Sequence, residues 1–143
     1  MYALIVEIDN PVVGALEFKR DPTDLLAFMS FAIAEPLGSQ HPLTNLARRL
    51  KKDFDINLTP LLTFYDNDIE DDVDAINLEA AWQDAAALNI CITEIQTVLE
   101  KDERSTSLLS GFETIPQLLD ELAKMAAIAV QKRGRIRISF RLA

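Results

Sequence analysis

Residues 2–8 are apolar apart from Glu7 and carry the β-branched Ile5, Val6 and Ile8. This is the pattern of a strand covered on both faces. Asp9-Asn10-Pro11 and Gly14 supply turn chemistry, and residues 15–19 then alternate so that Leu16 and Phe18 share a face. The two segments read as an antiparallel pair joined by more than a tight two-residue turn.

Helical spacing follows. Asp21-Pro22-Thr23-Asp24 predicts a helix start, with Asp21 accepting from a first-turn N–H and Pro22 where no N–H is needed. Leu25, Phe28, Met29, Ala32 and Ile33 form its apolar stripe, ended by Pro36 and Gly38. A second helix is predicted over 43–54, with Leu43, Leu46, Ala47, Leu50 and Phe54 on one face and Arg48, Arg49, Lys51 and Lys52 off it. Residues 61–65 read as a short strand.

The longest element is predicted as one helix over 78–101, capped by Asn77. Its Leu78, Ala81, Ala85, Leu88, Ile92, Ile95 and Leu99 hold a three-four spacing. Because Ala86, Ala87, Ile90 and Cys91 lie off that stripe, this helix is expected to be covered on every side, at the centre of the fold or in a dimer interface. Thr114 and Gln117 match a capping box opening a further helix, which Gly134 ends. Residues 135–142 then alternate strictly, predicting a strand with Ile136, Ile138, Phe140 and Leu142 on an apolar face and arginines on the other.

These elements define one α+β domain over 1–143: a small, mainly antiparallel sheet, made of the N-terminal strand pair and the C-terminal strand, covered by about four helices. The length of 143 residues is enough to bury about two-thirds of the unfolded surface. No internal repeat divides the chain. Its start lacks the basic residues of a secretory leader, and no run of about 18 uncharged apolar residues exists, so neither export nor a membrane partner is expected and the location is expected to be cytoplasmic.

Charge changes the picture at one place. Residues 66–74 read Asp-Asn-Asp-Ile-Glu-Asp-Asp-Val-Asp, and Asp66, Asp68, Glu70, Asp71, Asp72 and Asp74 contribute six of the nine net negative charges. The run reads as an acidic loop, either a solvated linker or a surface for a basic protein partner. On the linker reading, Asp71 would tolerate replacement with little loss of stability. A calcium loop is the third reading. With Asp68 at position 1, Glu70, Asp72, Asp74 and Glu79 fall at positions 3, 5, 7 and 12, but Val73 stands where the turn wants glycine.

Catalytic chemistry finds little footing. His41, the only histidine, sits in a turn-rich connection with no local partner for a triad or a metal site. Cys91, the only cysteine, lies mid-helix among apolar neighbours, the setting of a small buried hydrophobe. There is no glycine-rich phosphate loop and no serine-nucleophile motif, so no cofactor, metal or catalytic residue is assigned. The basic clusters at 48–52 and along Arg135, Arg137 and Arg141 are expected to pair internally, with Glu7 and Glu17 opposite the strand arginines. A net charge of −9 argues against nucleic acid as a partner. The expected function is a non-enzymatic, cytoplasmic protein-interaction or regulatory module that self-associates or acts as an acidic antagonist of a basic partner, in the manner of immunity or antitoxin proteins. The alternative is a small enzyme or ligand-binding domain with a site assembled from scattered residues.

Overall fold

β1 (Tyr2–Ile8) and β5 (Arg135–Leu142), from opposite ends of the chain, pair antiparallel from Tyr2↔Leu142 to Ile8↔Ile136. The computed structural model describes residues 2–142. Strand alternation sends Leu4, Val6 and Ile8 with Ile136 and Ile138 into the helical layer, where all five are buried. β2 (Ala15–Leu16) extends the sheet beyond β1, antiparallel. On the far edge of β5, β3 (Phe64–Asp66) pairs parallel and β4 (Gln83–Asp84) antiparallel. The sheet is therefore mixed, with one parallel pairing among antiparallel ones. The strand expected at 61–65 begins only at Phe64, and Leu61 is instead a fully buried core residue of the preceding turn.

α1 (Thr23–Ile33), α2 (Pro42–Lys52), α4 (Ala85–Lys101) and α6 (Ile115–Gln131) share one core with the strands' inner face. The stripe of α2 falls as the spacing predicts: Leu43, Leu46, Ala47 and Leu50 are buried. Phe54 lies outside the helix and half-exposed, beneath the Arg49 guanidinium. His41 caps α2, its Nδ1 accepting from the Leu43 N–H at 3.1 Å, and its ring stacks on Phe31 at 3.8 Å. Two shorter helices, α3 (Asp72–Ala80) and α5 (Glu103–Ser107), bring the total among the described residues to six.

Several sequence expectations are corrected. The helix expected over 78–101 is two helices: α3 ends at Ala80, β4 intervenes, and Asp84 caps α4 by accepting from the Ala86 N–H at 3.0 Å. Pairing of Gln83 with Ile136 interrupts the helical backbone, while Ala81 and Ala85 both remain buried, so the apolar spacing runs across the break. Asn77 sits inside α3 rather than capping anything. α4 is not covered all round either: Cys91 is buried, but Ala86 and Ile90 are exposed. Its 17 residues span about 25 Å at 1.5 Å each.

Thr114 forms no capping box. Its Oγ1 donates to Asp24 Oδ2 at 2.6 Å, tying the start of α6 to the first turn of α1. On β5 the alternation fades at its end: Leu142 is exposed and Phe140 half-buried, edge-on to Tyr2 and Phe64, whereas Ser139 on the opposite face is fully buried.

Candidate interaction surface

The acidic run is not a loop throughout. Asp66 ends β3 and its Oδ1 accepts from the Asp68 N–H at 2.9 Å. Asn67 pins the turn to β5, its backbone N–H donating to the Phe140 carbonyl at 2.7 Å and its Nδ2 to Ser139 Oγ at 3.1 Å. Asp71 caps α3 by accepting from the Asp74 N–H at 2.9 Å, and the Asp74 carboxylate accepts from the Glu70 N–H at 3.0 Å. Two donors at the helix start are thus satisfied reciprocally, in the manner of a capping box displaced by one residue. Asp72 and Asp74 also lie in the first turn, where the helix dipole favours negative charge.

The loop expected over 66–74 therefore gives way to helix at Asp72: Asp66, Asp71 and Asp74 shape backbone, and Asp68, Glu70 and Asp72 remain as exposed carboxylates on that scaffold. The calcium-loop register is not formed, because residues 72–80 are helical and their side chains spread around a helix instead of converging.

Among the described residues, none of the six carboxylates lies within ion-pair distance of a cation, whereas Glu7, Asp9, Glu35, Asp102 and Glu121 elsewhere are matched. Glu7 holds Arg137 at 3.0 Å and Asp9 holds Arg135 at 2.8 Å. Glu17, expected opposite an arginine, makes no such pair, and Asp9 stands in its stead. Buried Glu35 takes both Lys51 at 2.9 Å and Arg48 at 3.3 Å, and the Lys51 hydrogen bond holds its carboxyl below the usual range. Arg49 grips Asp102 through Nε at 2.7 Å and Nη2 at 3.1 Å. The basic clusters read from the sequence are thereby largely committed inside the fold, while the run at 66–74 keeps six carboxylates without a paired cation.

Apolar side chains lie among those charges. Val73 is 62% exposed, Ile76 67% and Ile69 53%, and Leu78 is the only buried residue of α3. Ile69 and Val73 lie inside the charge run, Leu78 belongs to the helix expected over 78–101, and Ile76 enters neither reading. The signal was present in the three-four spacing of Val73, Ile76 and Ala80, which places them on one helix face.

α3 is held to the outer face of the sheet by few groups. Arg137, on the face opposite Ile136 and Ile138, donates through Nη1 to the Leu78 carbonyl at 3.2 Å and lies over the Trp82 ring at 4.4 Å. Arg135 reaches the same ring at 5.5 Å. Cys91 is buried in α4, and burial pushes its thiol up to about 11, away from the thiolate needed for nucleophilic attack. His41 is occupied by capping and by Phe31 and Phe112. Among the described residues no helix is long and apolar enough to cross a membrane.

No protein-family model, curated protein or solved structure matches the chain significantly.

Proposed function

We propose that the protein is a non-enzymatic, cytoplasmic interaction module that presents the 66–80 face to a basic protein partner, as an acidic antagonist does. The observation that carries this reading is the coincidence, on one exposed surface, of unpaired carboxylates with exposed Ile69, Val73 and Ile76. Apolar contact supplies affinity at the centre of such a surface, and the surrounding charge speeds encounter and selects a partner of opposite sign. The backbone bonds made by Asp66, Asp71 and Asp74 hold this surface in one shape before any partner arrives.

The test uses immobilised wild-type protein and a variant carrying Asp68→Asn, Glu70→Gln and Asp72→Asn, which spares the three carboxylates that shape backbone. Basic proteins captured at low salt are expected to be lost at high salt. Association with the triple variant should slow by roughly tenfold at low salt, the advantage vanishing as the Debye length contracts below about 8 Å. Capture of the same proteins at the same rate by both forms overturns the reading.

A further inference from the structure

β2 is two residues long while β1 has seven, so most of one edge of β1 has no strand beside it. Side chain 121 accounts for this. The buried Glu121 carboxylate on α6 accepts the Lys19 backbone N–H at 2.6 Å and meets Arg20 at 3.3 Å, pulling the chain off β1 immediately after Leu16. Along β1 the backbone groups alternate between its two neighbours. Ile8 donates to Gly14 on the β2 side and Asp9 to Arg135 on the β5 side. Leu4, sharing the parity of Ile8 and of Val6, therefore aims its N–H and C=O off the open edge, where no group among the described residues meets its N–H.

That edge opens into a cleft of about 350 Å³ walled by Leu16, Phe18 and Pro22. Arg141, opposite Ala3 on β5, also lines it, since the small side chain of Ala3 leaves room to reach across. Among the described residues no carboxylate pairs with Arg141. Exposed edges are ordinarily protected by charge, proline or a bulge. Residues 2–5 carry no charge and no proline, and their register with β5 is unbroken.

We propose that this edge of β1 binds an extended segment of a partner protein as an added strand, with one acidic side chain of that segment held by Arg141. The incoming backbone pairs with the N–H and C=O of Leu4. The residue opposite Leu4 turns an apolar side chain toward Leu16, Phe18 and Pro22, and its neighbour opposite Ala3 places the carboxylate at Arg141. Glu17, on the same rim toward Ile5, repels a second acid there, so the segment is acidic at one end only. This site is separate from the 66–80 face and takes a partner group of opposite charge.

The probe is the blocked peptide acetyl-Thr-Val-Glu-Thr-amide, which runs antiparallel to β1 so that Val and Leu4 exchange both backbone bonds, with versions carrying Gln or Lys for Glu and one N-methylated at Val. Binding is read by two-dimensional amide NMR of the ¹⁵N-labelled full chain. The Glu peptide should shift the Leu4 and Ala3 amides and slow exchange at Leu4, binding about tenfold more tightly than the Lys peptide. N-methylation should abolish the shift. Arg141→Glu should reverse the order of the two peptides, and Arg141→Gln should erase the preference, with circular dichroism confirming that both variants fold. Shifts confined to other residues, a Glu-over-Lys preference retained by both Arg141 variants, or no saturation by about 1 mM overturns the proposal. A Leu4 amide protected without peptide, in a dimer detected by sedimentation, also overturns it, because a second copy then fills the edge.

Discussion

Arg137 lies over the indole of Trp82 with 4.4 Å between guanidinium carbon and ring centroid, and on its other side it holds Glu7 at 3.0 Å. With Leu78 the only buried residue of α3, this stack supplies much of what fastens the candidate surface to the sheet. Trp82→Ala should therefore loosen α3 selectively. A loss of about 1–2 kcal/mol at this contact corresponds to roughly tenfold faster amide exchange in residues 72–80, while β1 and β5 stay protected. Uniform acceleration through the sheet would mean that Trp82 supports the whole fold.

Three substitutions separate core, scaffold and free surface. Ile92, fully buried in α4, should cost about 2–5 kcal/mol as Ile92→Ala. Asp71→Ala removes the cap of α3 and should cost about 1 kcal/mol, more than a linker residue would, whereas Asp68→Asn should stay within about 0.5 kcal/mol. Urea melts decide this, and equal effects at positions 68 and 71 would contradict the capping role.

Acid should act through Asp102. Its carboxyl is held well below the usual carboxylate range, first by the Arg49 hydrogen bonds and then by Ser105. A carboxyl depressed in the folded state stabilises the fold at neutral pH, and that contribution disappears as pH falls below the unfolded value toward the folded one. The wild-type melting temperature should fall more steeply between about pH 4 and 2 than that of Asp102→Asn, which should already be less stable at pH 7. Parallel pH profiles would locate acid sensitivity elsewhere, with Glu35 next because Lys51 lowers it in the same direction.

Cys91 provides a probe of opening. Burial raises its thiol to about 11, so both access and ionisation oppose reaction in the native state. Ellman's reagent should leave the folded protein unmodified over hours and titrate one thiol at once in denaturant. Fast labelling of the native chain would show that α4 opens on its exposed side.

The sequence by itself determined the α+β class, the strand at each end of the chain, and most of the stripes of α1 and α2, from which only Ile33 and Phe54 depart. These follow from periodicity, which is a local property: Leu43, Leu46, Ala47 and Leu50 share a face whatever they pack against. It also located the charge run and made internal pairing of the arginines the better expectation. What only the tertiary structure decided were the matters set by distant partners. The parallel pairing of β3 and the break at Gln83 are both set by bonding to β5, more than fifty residues along the chain. Thr114 reads locally as one half of a capping box, yet Asp24, ninety residues away, takes its hydroxyl. Glu121 shortens β2 and opens the edge of β1 from a separation of about a hundred residues. Periodicity records which side of an element is buried. Which backbone group bonds to which, and which charge stays unpaired, depends on three-dimensional proximity that no local pattern encodes.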